Sequence, residues 1–209
     1  MATTRNIFIE KVLREVYGEQ PSDDSNITFN LVNVWLNEGI ALAAKQNYKD
    51  NILIDGIGYI NNSFYTTFKN ITVTQDSQFT YKLTLPEIPL GIGSNEGVNT
   101  LRFVNSSGQI SLPCIPISER QVTYFESMRP IPNKIIYYPE GIFIYAKSTI
   151  LLYEYTGSVT MVSGGDSSDL DSILNVPPDY LSIASDYVIQ KLVIEKNMPK
   201  DLANDGKEN

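Results

Sequence analysis

The side chains of this sequence that could do chemistry are carboxylates, one thiol and a set of tyrosines, because the chain contains no histidine. Histidine is the usual general base of enzymes and the commonest metal ligand in proteins. A hydrolase built from this chain would therefore need paired carboxylates or a serine–lysine dyad. The candidate carboxylates are Asp23, Asp24, Glu87, Asp166, Asp169 and Asp171.

These acids lie in polar stretches that have the composition of turns. Aspartate in such stretches usually accepts hydrogen bonds from nearby backbone N–H groups and is otherwise solvated. No serine stands in a nucleophile-elbow pattern, and no nucleophile–base pair can be named. We therefore predict that the protein is not an enzyme, and we predict no catalytic residue, no cofactor-binding residue, no metal ligand and no cofactor.

The single cysteine, Cys114, has no partner in the chain for an internal disulfide or a thiolate metal cluster. It stands between Pro113 and Ile115. Free cysteine behaves as a small hydrophobic residue in most proteins. We predict that Cys114 is buried.

The glycine-rich stretch over residues 91–97 invites comparison with a phosphate-binding loop. Such a loop ends in Gly-Lys-Ser/Thr and is followed by a helix whose N-terminus faces the phosphate. Both features are missing here. The stretch is therefore predicted to be a mobile surface loop.

A group of tyrosines follows in the next part of the chain, and three interpretations of it remain open. They could form a face that stacks on sugar rings, a hydrophobic core, or a contact between subunits. Core or subunit contact is the favoured interpretation. The residues are Tyr137, Tyr138, Tyr145, Tyr153 and Tyr155.

The composition is that of a globular protein, with 42% hydrophobic and 19% charged residues among 209. The net charge of −8 disfavours tight nucleic-acid binding, because phosphate is repelled. The first residues lack the basic and apolar regions of a signal peptide, and no apolar run is long enough to span a membrane. We expect a protein of the reducing cytoplasm or of a particle assembled there.

Three helices are predicted at the two ends of the chain. Residues 4–17 form the first, which Gly18 ends, and the second begins at Asn26 or Thr28 and ends near Asn47. Its apolar positions are too numerous for one stripe, so it contacts neighbours on two sides. Gly39 within it indicates either a close helix crossing or an ordinary tolerated glycine.

The third helix, over residues 176–197, carries the stripe around which the chain is organised. It opens with a proline pair, and its apolar residues recur at the helical period. We expect this stripe to pack on the two N-terminal helices. Its members are Tyr180, Ile183, Ala184, Tyr187, Val188, Leu192 and Val193.

Between these helices the sequence alternates polar and apolar residues as strands do. Residues 68–74 and 78–85 are predicted to form a hairpin, and residues 101–104 and 109–115 a second one. Pro113 and Pro116 indicate an edge position for the last of these strands. A helical turn capped by Ser118 follows, and then three strands over residues 134–138, 142–146 and 150–155.

The predicted fold class is α+β. Residues 1–50 and 170–198 are expected to form a helical bundle. Residues 51–165 form a β-rich insertion between its halves, either a small sandwich or a barrel. Residues 199–209 are expected to be a flexible tail.

This layout resembles the head–tail connector, or adaptor, proteins of tailed bacteriophages. The resemblance is carried by the helix over residues 26–47, the aromatic strands over 134–155 that turn at Pro139-Glu140-Gly141, and the helix over 176–198 with its polar tail. The histidine-free composition rich in Asn, Tyr and Ile also resembles virion proteins of crAss-like phages of gut Bacteroides. The resemblance covers the whole chain and includes no diagnostic short motif.

The resemblance implies a virion structural protein that forms a ring, a dodecamer, in the phage neck. Such a ring joins the capsid portal to the tail and leaves a channel for DNA. Its partners are further copies of itself, the portal protein and other neck or tail ring proteins, while DNA passes without specific binding and no membrane is involved. The alternative function is a tyrosine-rich β binding module that recognises a glycan or a protein partner.

Overall fold

A computed structural model describes residues 3–18, 27–91, 97–105, 107–108 and 112–197. Within these ranges the protein is α+β, as predicted, with four α-helices and one seven-stranded sheet. The helices are α1 Arg5–Tyr17, α2 Phe29–Asp55, α3 Glu119–Val122 and α4 Pro178–Asn197. The strands are β1 Tyr65–Ser77, β2 Thr80–Thr84, β3 Val98–Val104, β4 Cys114–Pro116, β5 Ile135–Glu140, β6 Phe143–Lys147 and β7 Thr156–Val162.

Local capping sets the ends of the first helix where the sequence predicts them. The Thr4 hydroxyl accepts a hydrogen bond from the Ile7 N–H at 3.3 Å. Gly18 ends the helix in the left-handed region, with φ of 75°. A side chain at this φ would be strained, so glycine is the natural stop.

The second helix is longer than predicted. Thr28 caps it through the Leu31 N–H at 3.2 Å, while Asn26, the other candidate cap, lies outside the described residues. The predicted end near Asn47 is wrong, because the helix continues to Asp55 and ends at Gly56, with φ of 71°. Gly56 ends the helix. The polar residues just after Asn47 resemble a helix end, although the helix continues through them.

α4 packs against α2 and α1, as its apolar stripe predicts. Ala184, Val188 and Leu192 of the stripe are fully buried in a cluster with residues of both N-terminal helices, whereas Val193 is 41% exposed. At Gly39 the two long helices cross closely: a Cβ there would lie 3.0 Å from the Cα and carbonyl oxygen of Ala184. Of the two interpretations of this glycine, the close crossing is confirmed.

The sheet has the strand order β3-β7-β1-β2-β6-β5-β4, and every pair is antiparallel except β4 with β5. Cα atoms of the two edge strands, β3 and β4, approach within 8 Å. The sheet is therefore a nearly closed barrel, and it encloses its own hydrophobic cluster around Phe103, Ile144 and Val159. β4 is an edge strand, so the predicted edge position is confirmed for Pro116 within it, and Pro113 immediately precedes it.

Strand pairing differs from the prediction in two places. The first hairpin is confirmed as β1 with β2. The described part of the second predicted hairpin pairs differently: β3 pairs with β7, and β4, at the end of the second predicted strand, pairs with β5. Residues 106 and 109–111 of that predicted hairpin lie outside the described residues.

The strand predicted over residues 150–155 is also wrong. The chain forms a 3₁₀ turn at Leu152–Glu154, with Leu152 fully buried, and the strand follows as β7. β7 lies between β1 and β3 and contains Gly157, whose Cβ would overlap the Leu83 side chain. Glycine has a low preference for strands, so Gly157 weakens the strand pattern of the local sequence. The position of β7 is set instead by its contacts with the rest of the barrel.

No helix of the described ranges is long and apolar enough to cross a membrane. The segments at residues 19–26, 92–96 and 198–209, which include most of the glycine-rich loop and the predicted tail, lie outside the described residues.

Candidate functional site

The aspartates of the loop after β7 fix the shape of that loop. The Asp166 Oδ1 accepts hydrogen bonds from the backbone N–H of Ser168 at 2.9 Å and from its hydroxyl at 2.7 Å. The Asp169 Oδ1 accepts one from the N–H of Asp171 at 3.0 Å. Asp166 and Asp169 are therefore turn-forming residues, as predicted. The candidate acids at positions 23 and 24 lie outside the described residues.

Glu87 holds the same loop from the other side. Its Oε1 accepts a hydrogen bond from the Ser167 N–H at 2.6 Å. Burial raises the pKa of the Glu87 carboxyl, and its hydrogen bonds with Ser167 and the charge of Arg5 oppose that rise. Among the described residues, no three His, Cys, Asp or Glu side chains lie close enough to hold a metal ion.

Arg5 is a fully buried cation that joins three parts of the chain. Its Nη1 donates to the Oδ1 atoms of Asn33 and Asn37 on α2, at 2.8 and 2.7 Å. Its Nη2 donates to the carbonyl oxygens of Ser163 and Gly165 after β7, both at 3.3 Å. Burial lowers the pKa of the Arg5 guanidinium. Arg5 therefore fastens helix to sheet and is not placed to meet a ligand.

Cys114 is half-buried at the edge of the barrel, where the sequence predicts full burial. It packs against the hydrophobic cluster of the barrel. Burial raises the pKa of the Cys114 thiol to about 12. The thiolate is the reactive form of cysteine, so Cys114 is not an activated nucleophile.

The tyrosine set is divided between the core and the outer face of the barrel. Tyr137 is buried, and Tyr155 packs on the same hydrophobic cluster. Tyr138 and Tyr145 stack on each other, with ring centroids 5.3 Å apart. Tyr153 is about half exposed.

The ring faces around the stacked tyrosines are already in contact with protein groups. The Phe125 ring meets Tyr138 edge-on at 4.7 Å, and the Lys82 Nζ lies 3.7 Å from the Phe143 ring centroid. Sugar recognition by stacking needs a free ring face. These contacts favour the interpretation of the tyrosines as packing residues.

Among the described residues, the most exposed large apolar side chains form a surface at the C-terminal end of α2. We call this surface the α2 tip. Three of its side chains are largely exposed: Leu53 by 83%, Ile54 by 79% and Ile57 by 66%. The α2 tip comprises Ile52, Leu53, Ile54, Ile57 and Tyr59.

The α2 tip is exposed because its partner helix starts too late to cover it. α2 and α4 run antiparallel, and the Tyr187 hydroxyl donates to Glu38 while the Tyr180 hydroxyl donates to Asp50 at 2.9 Å. α4 begins at Pro178, so the turn of α2 after Asp50 passes beyond the end of α4. The apolar side chains of that turn are therefore left 42–83% exposed.

The chain that follows α2 is held in one conformation by two asparagines. The Asn51 side chain donates to the Tyr59 carbonyl oxygen at 2.9 Å. The buried Asn47 accepts a hydrogen bond from the Asn61 N–H at 2.9 Å. A Cβ at Gly58 would overlap the Tyr48 ring. The backbone around the α2 tip is therefore held in place by two side chains of α2 itself, those of Asn47 and Asn51.

The sequence prediction missed the α2 tip because it ended the helix at Asn47. A usable signal was present: three consecutive apolar residues, Ile52 to Ile54, precede Gly56, the kind of residue that ends helices. An apolar run at a helix end with no matching stripe indicates contact outside the chain.

Comparison of the sequence with protein-family models and with curated proteins finds no match.

Proposed function

We propose that this protein is a virion structural protein that forms a ring in the neck of a tailed bacteriophage. The ring, a dodecamer, joins the capsid portal to the tail and leaves a channel for DNA. The protein then acts by assembly, and its partners are copies of itself, the portal protein and other neck or tail rings.

The observation that supports this proposal best is the α2 tip. Monomeric proteins seldom expose a contiguous group of large apolar side chains unless that group binds something. Leu53, Ile54 and Ile57 are more than half exposed, yet the backbone that carries them is held by Asn47 and Asn51. A prearranged surface loses little conformational entropy on binding, which suits a subunit contact.

Burial of the α2 tip would contribute a large part of the energy of such a contact. Burial of one leucine or isoleucine side chain contributes about 1.5–3 kcal/mol. Several such side chains at each subunit contact offset part of the cost of association, and a closed ring repeats the same head-to-tail contact until it closes.

We further propose the division of the chain into a helical bundle, residues 1–50 with 170–198, and a β-rich insertion, residues 51–165. α2 crosses this boundary and ends at Asp55, so the α2 tip lies where the two parts join. Two separate hydrophobic clusters, one among the helices and one within the barrel, support it. Phe64 and Val162 of the insertion pack into the helical cluster, so the two parts share a junction. In a ring, the helices would then form the subunit contacts and the barrel would project from them.

The negative charge of the chain suits the wall of a channel through which DNA passes without being retained. A net charge of −8 repels phosphate, so the walls of such a channel would not retain the DNA that passes.

Co-assembly with the portal protein of the same phage tests the proposal. We expect native mass spectrometry of the mixture to show twelve copies of this protein on the portal, whether or not the protein alone is monomeric. The variant Leu53→Asp/Ile54→Asp places charge on the α2 tip and should abolish this complex. Its circular dichroism should match that of the wild type, since both side chains are exposed. Its melting temperature should fall only slightly, because the added charges oppose the dipole at the end of α2.

The matched control is Ile88→Asp, which places charge on a side chain that is 63% exposed outside the α2 tip. This variant should assemble normally. A wild-type protein that forms no complex with the portal would contradict the proposed function. A complex that still forms with the double variant would show that the α2 tip is not the subunit contact.

A further inference from the structure

A cleft of about 590 Å³, lined mostly by polar and charged residues, lies on the outer face of the barrel, across the adjacent strands β3, β7 and β1. Its volume is in the range of small-molecule sites. Residues of the same strands that face inward, such as Leu101 and Val159, are buried in the core. The cleft is lined by Lys69, Asn70, Arg102, Glu154 and Ser158, among others.

A β-bulge in β1 presents two consecutive side chains to this cleft. The register of β1 on β7 shifts between Phe68 and Ile71. Asn70 at the bulge has φ of 58°, a conformation that costs energy for a residue other than glycine. In a regular strand Lys69 and Asn70 would point to opposite faces, but here both are exposed and both line the cleft. Bulges often redirect side chains toward functional sites.

The two cations of the cleft are unpaired. The ion pair found within the described ranges joins Arg14 to Glu10 on α1. The side chains of Lys69 and Arg102 make no hydrogen bond, ion pair or ring contact with the described part of the chain. Lysine and arginine side chains without a protein partner are suited to bind an oxyanion, even in a protein of net charge −8.

Glu154 limits which oxyanion fits. Its carboxylate lines the same cleft and repels negative charge, so a doubly charged phosphate is less suitable than a single carboxylate. Glu154 can also accept hydrogen bonds from hydroxyl groups. Asn70 and Ser158 supply further amide and hydroxyl groups for the same purpose.

We propose that this cleft binds a sugar that carries a carboxylate, of the uronic acid class. Arg102 and Lys69 hold the carboxylate, while Asn70, Ser158 and Glu154 hydrogen-bond the ring hydroxyls. This site is on the barrel and does not depend on the α2 tip or on ring formation. It uses none of the tyrosines.

Titration of the whole protein with sodium glucuronate, followed by amide chemical shifts in NMR spectra, tests the proposal. We expect saturable shifts at Lys69, Asn70, Arg102 and Ser158. Arg102→Gln should weaken binding about tenfold, because it removes a charge-assisted hydrogen-bond donor. The matched control is Lys134→Gln, an exposed cation outside the cleft, which should leave the affinity unchanged.

Two further ligands and one variant test the specificity. Glucose has the hydroxyls without the carboxylate, and inorganic phosphate has the charge without the ring, so both should bind more weakly than glucuronate. Glu154→Gln should improve phosphate binding, because it removes the repelling charge.

Three results would overturn the proposal. The first is the absence of saturable shifts up to about 20 mM glucuronate, a concentration well above the dissociation constant of about 1 mM that a weak site has. The second is an unchanged affinity in Arg102→Gln, and the third is binding of phosphate as tight as that of glucuronate.

Discussion

Arg5 is a guanidinium that the fold encloses completely and surrounds mainly with neutral acceptors. Removal of a buried group leaves its partners without hydrogen bonds, and each such loss is costly in a dry environment. The Asn33 side-chain N–H keeps its bond to the Ser167 carbonyl oxygen, and the Gly165 carbonyl oxygen keeps one from the Ser163 hydroxyl. The Oδ1 atoms of Asn33 and Asn37 lose the guanidinium. The residue thus contributes to stability through four hydrogen bonds rather than through an ion pair.

We expect Arg5→Met to lower the free energy of unfolding by about 3 kcal/mol, measured by urea denaturation. The stability of Arg5→Lys should lie between those of the wild type and Arg5→Met, because a lysine ammonium keeps the charge but cannot form the two-pronged hydrogen bonds of the planar guanidinium. The control is Arg14→Met, which breaks an exposed helix pair with Glu10 and should cost less than about 0.5 kcal/mol. Equal effects of the two methionine substitutions would contradict this account of Arg5.

Cys114 offers a test of pH dependence at the same scale. Burial favours the neutral thiol and raises its pKa to about 12 from an ordinary value near 9. The thiolate fraction, and so the alkylation rate by iodoacetamide at pH 8, should be about a thousandfold lower in the folded protein than in urea. The native rate should still rise above pH 10, where that of the unfolded chain has levelled off. A native rate within tenfold of the unfolded one would show an ordinary thiol.

At the scale of elements, the crossing of α2 and α4 depends on the absence of a side chain at Gly39. A Cβ would meet backbone atoms of Ala184, which cannot rotate away as a flexible side chain could. The crossing also sets the relative position of the two helices. α2 has 27 residues and α4 has 20, so at about 1.5 Å per residue α2 is longer by about 10 Å. The crossing and this difference in length together produce the exposed α2 tip.

Gly39→Val should lower the free energy of unfolding by about 2–3 kcal/mol, because the added atoms push the two helices apart. Lys45→Val is the control on the exposed side of the same helix, and it should cost only the helix propensity of valine, about 0.5 kcal/mol. Thermal denaturation followed by circular dichroism at 222 nm measures both. A tolerated valine at Gly39 would mean that the helices can separate without loss.

At the scale of the whole molecule, the helical part and the barrel are joined by both apolar and polar contacts. Phe64 and Val162 reach from the sheet side into the helical cluster, and Arg5 binds the chain immediately after β7. If the proposed division into helical bundle and β-rich insertion holds, each part should retain some stability of its own.

Hydrogen exchange of two core variants measures this division. Leu36→Ala and Ile144→Ala each create a cavity at a fully buried site, one in each cluster, and should cost about 2–5 kcal/mol locally. Leu36→Ala should lower the protection of amides in α1, α2 and α4 more than that of amides in β2 and β6. Ile144→Ala should do the reverse. An equal loss of protection throughout the chain in both variants would show one cooperative unit and contradict the division.

The sequence by itself determined the features that depend on neighbours in the chain. Thr4, Thr28 and Gly18 set helix ends through contacts within four residues, and the period of α4 selected its buried side. The first hairpin and the turn acids Asp166 and Asp169 belong to the same class. Such features are local, so composition and spacing are enough to predict them.

Only the tertiary structure decided the features that join distant segments. The partners of β3 and β4, the position of β7 and the burial of Arg5 all depend on contacts with remote parts of the chain, such as Gly165, 160 residues from Arg5. The α2 tip is decided in the same way, because its exposure depends on where α4 begins. Strand partners and uncovered surfaces depend on which segments meet in space, and a pattern read along one segment does not contain that information.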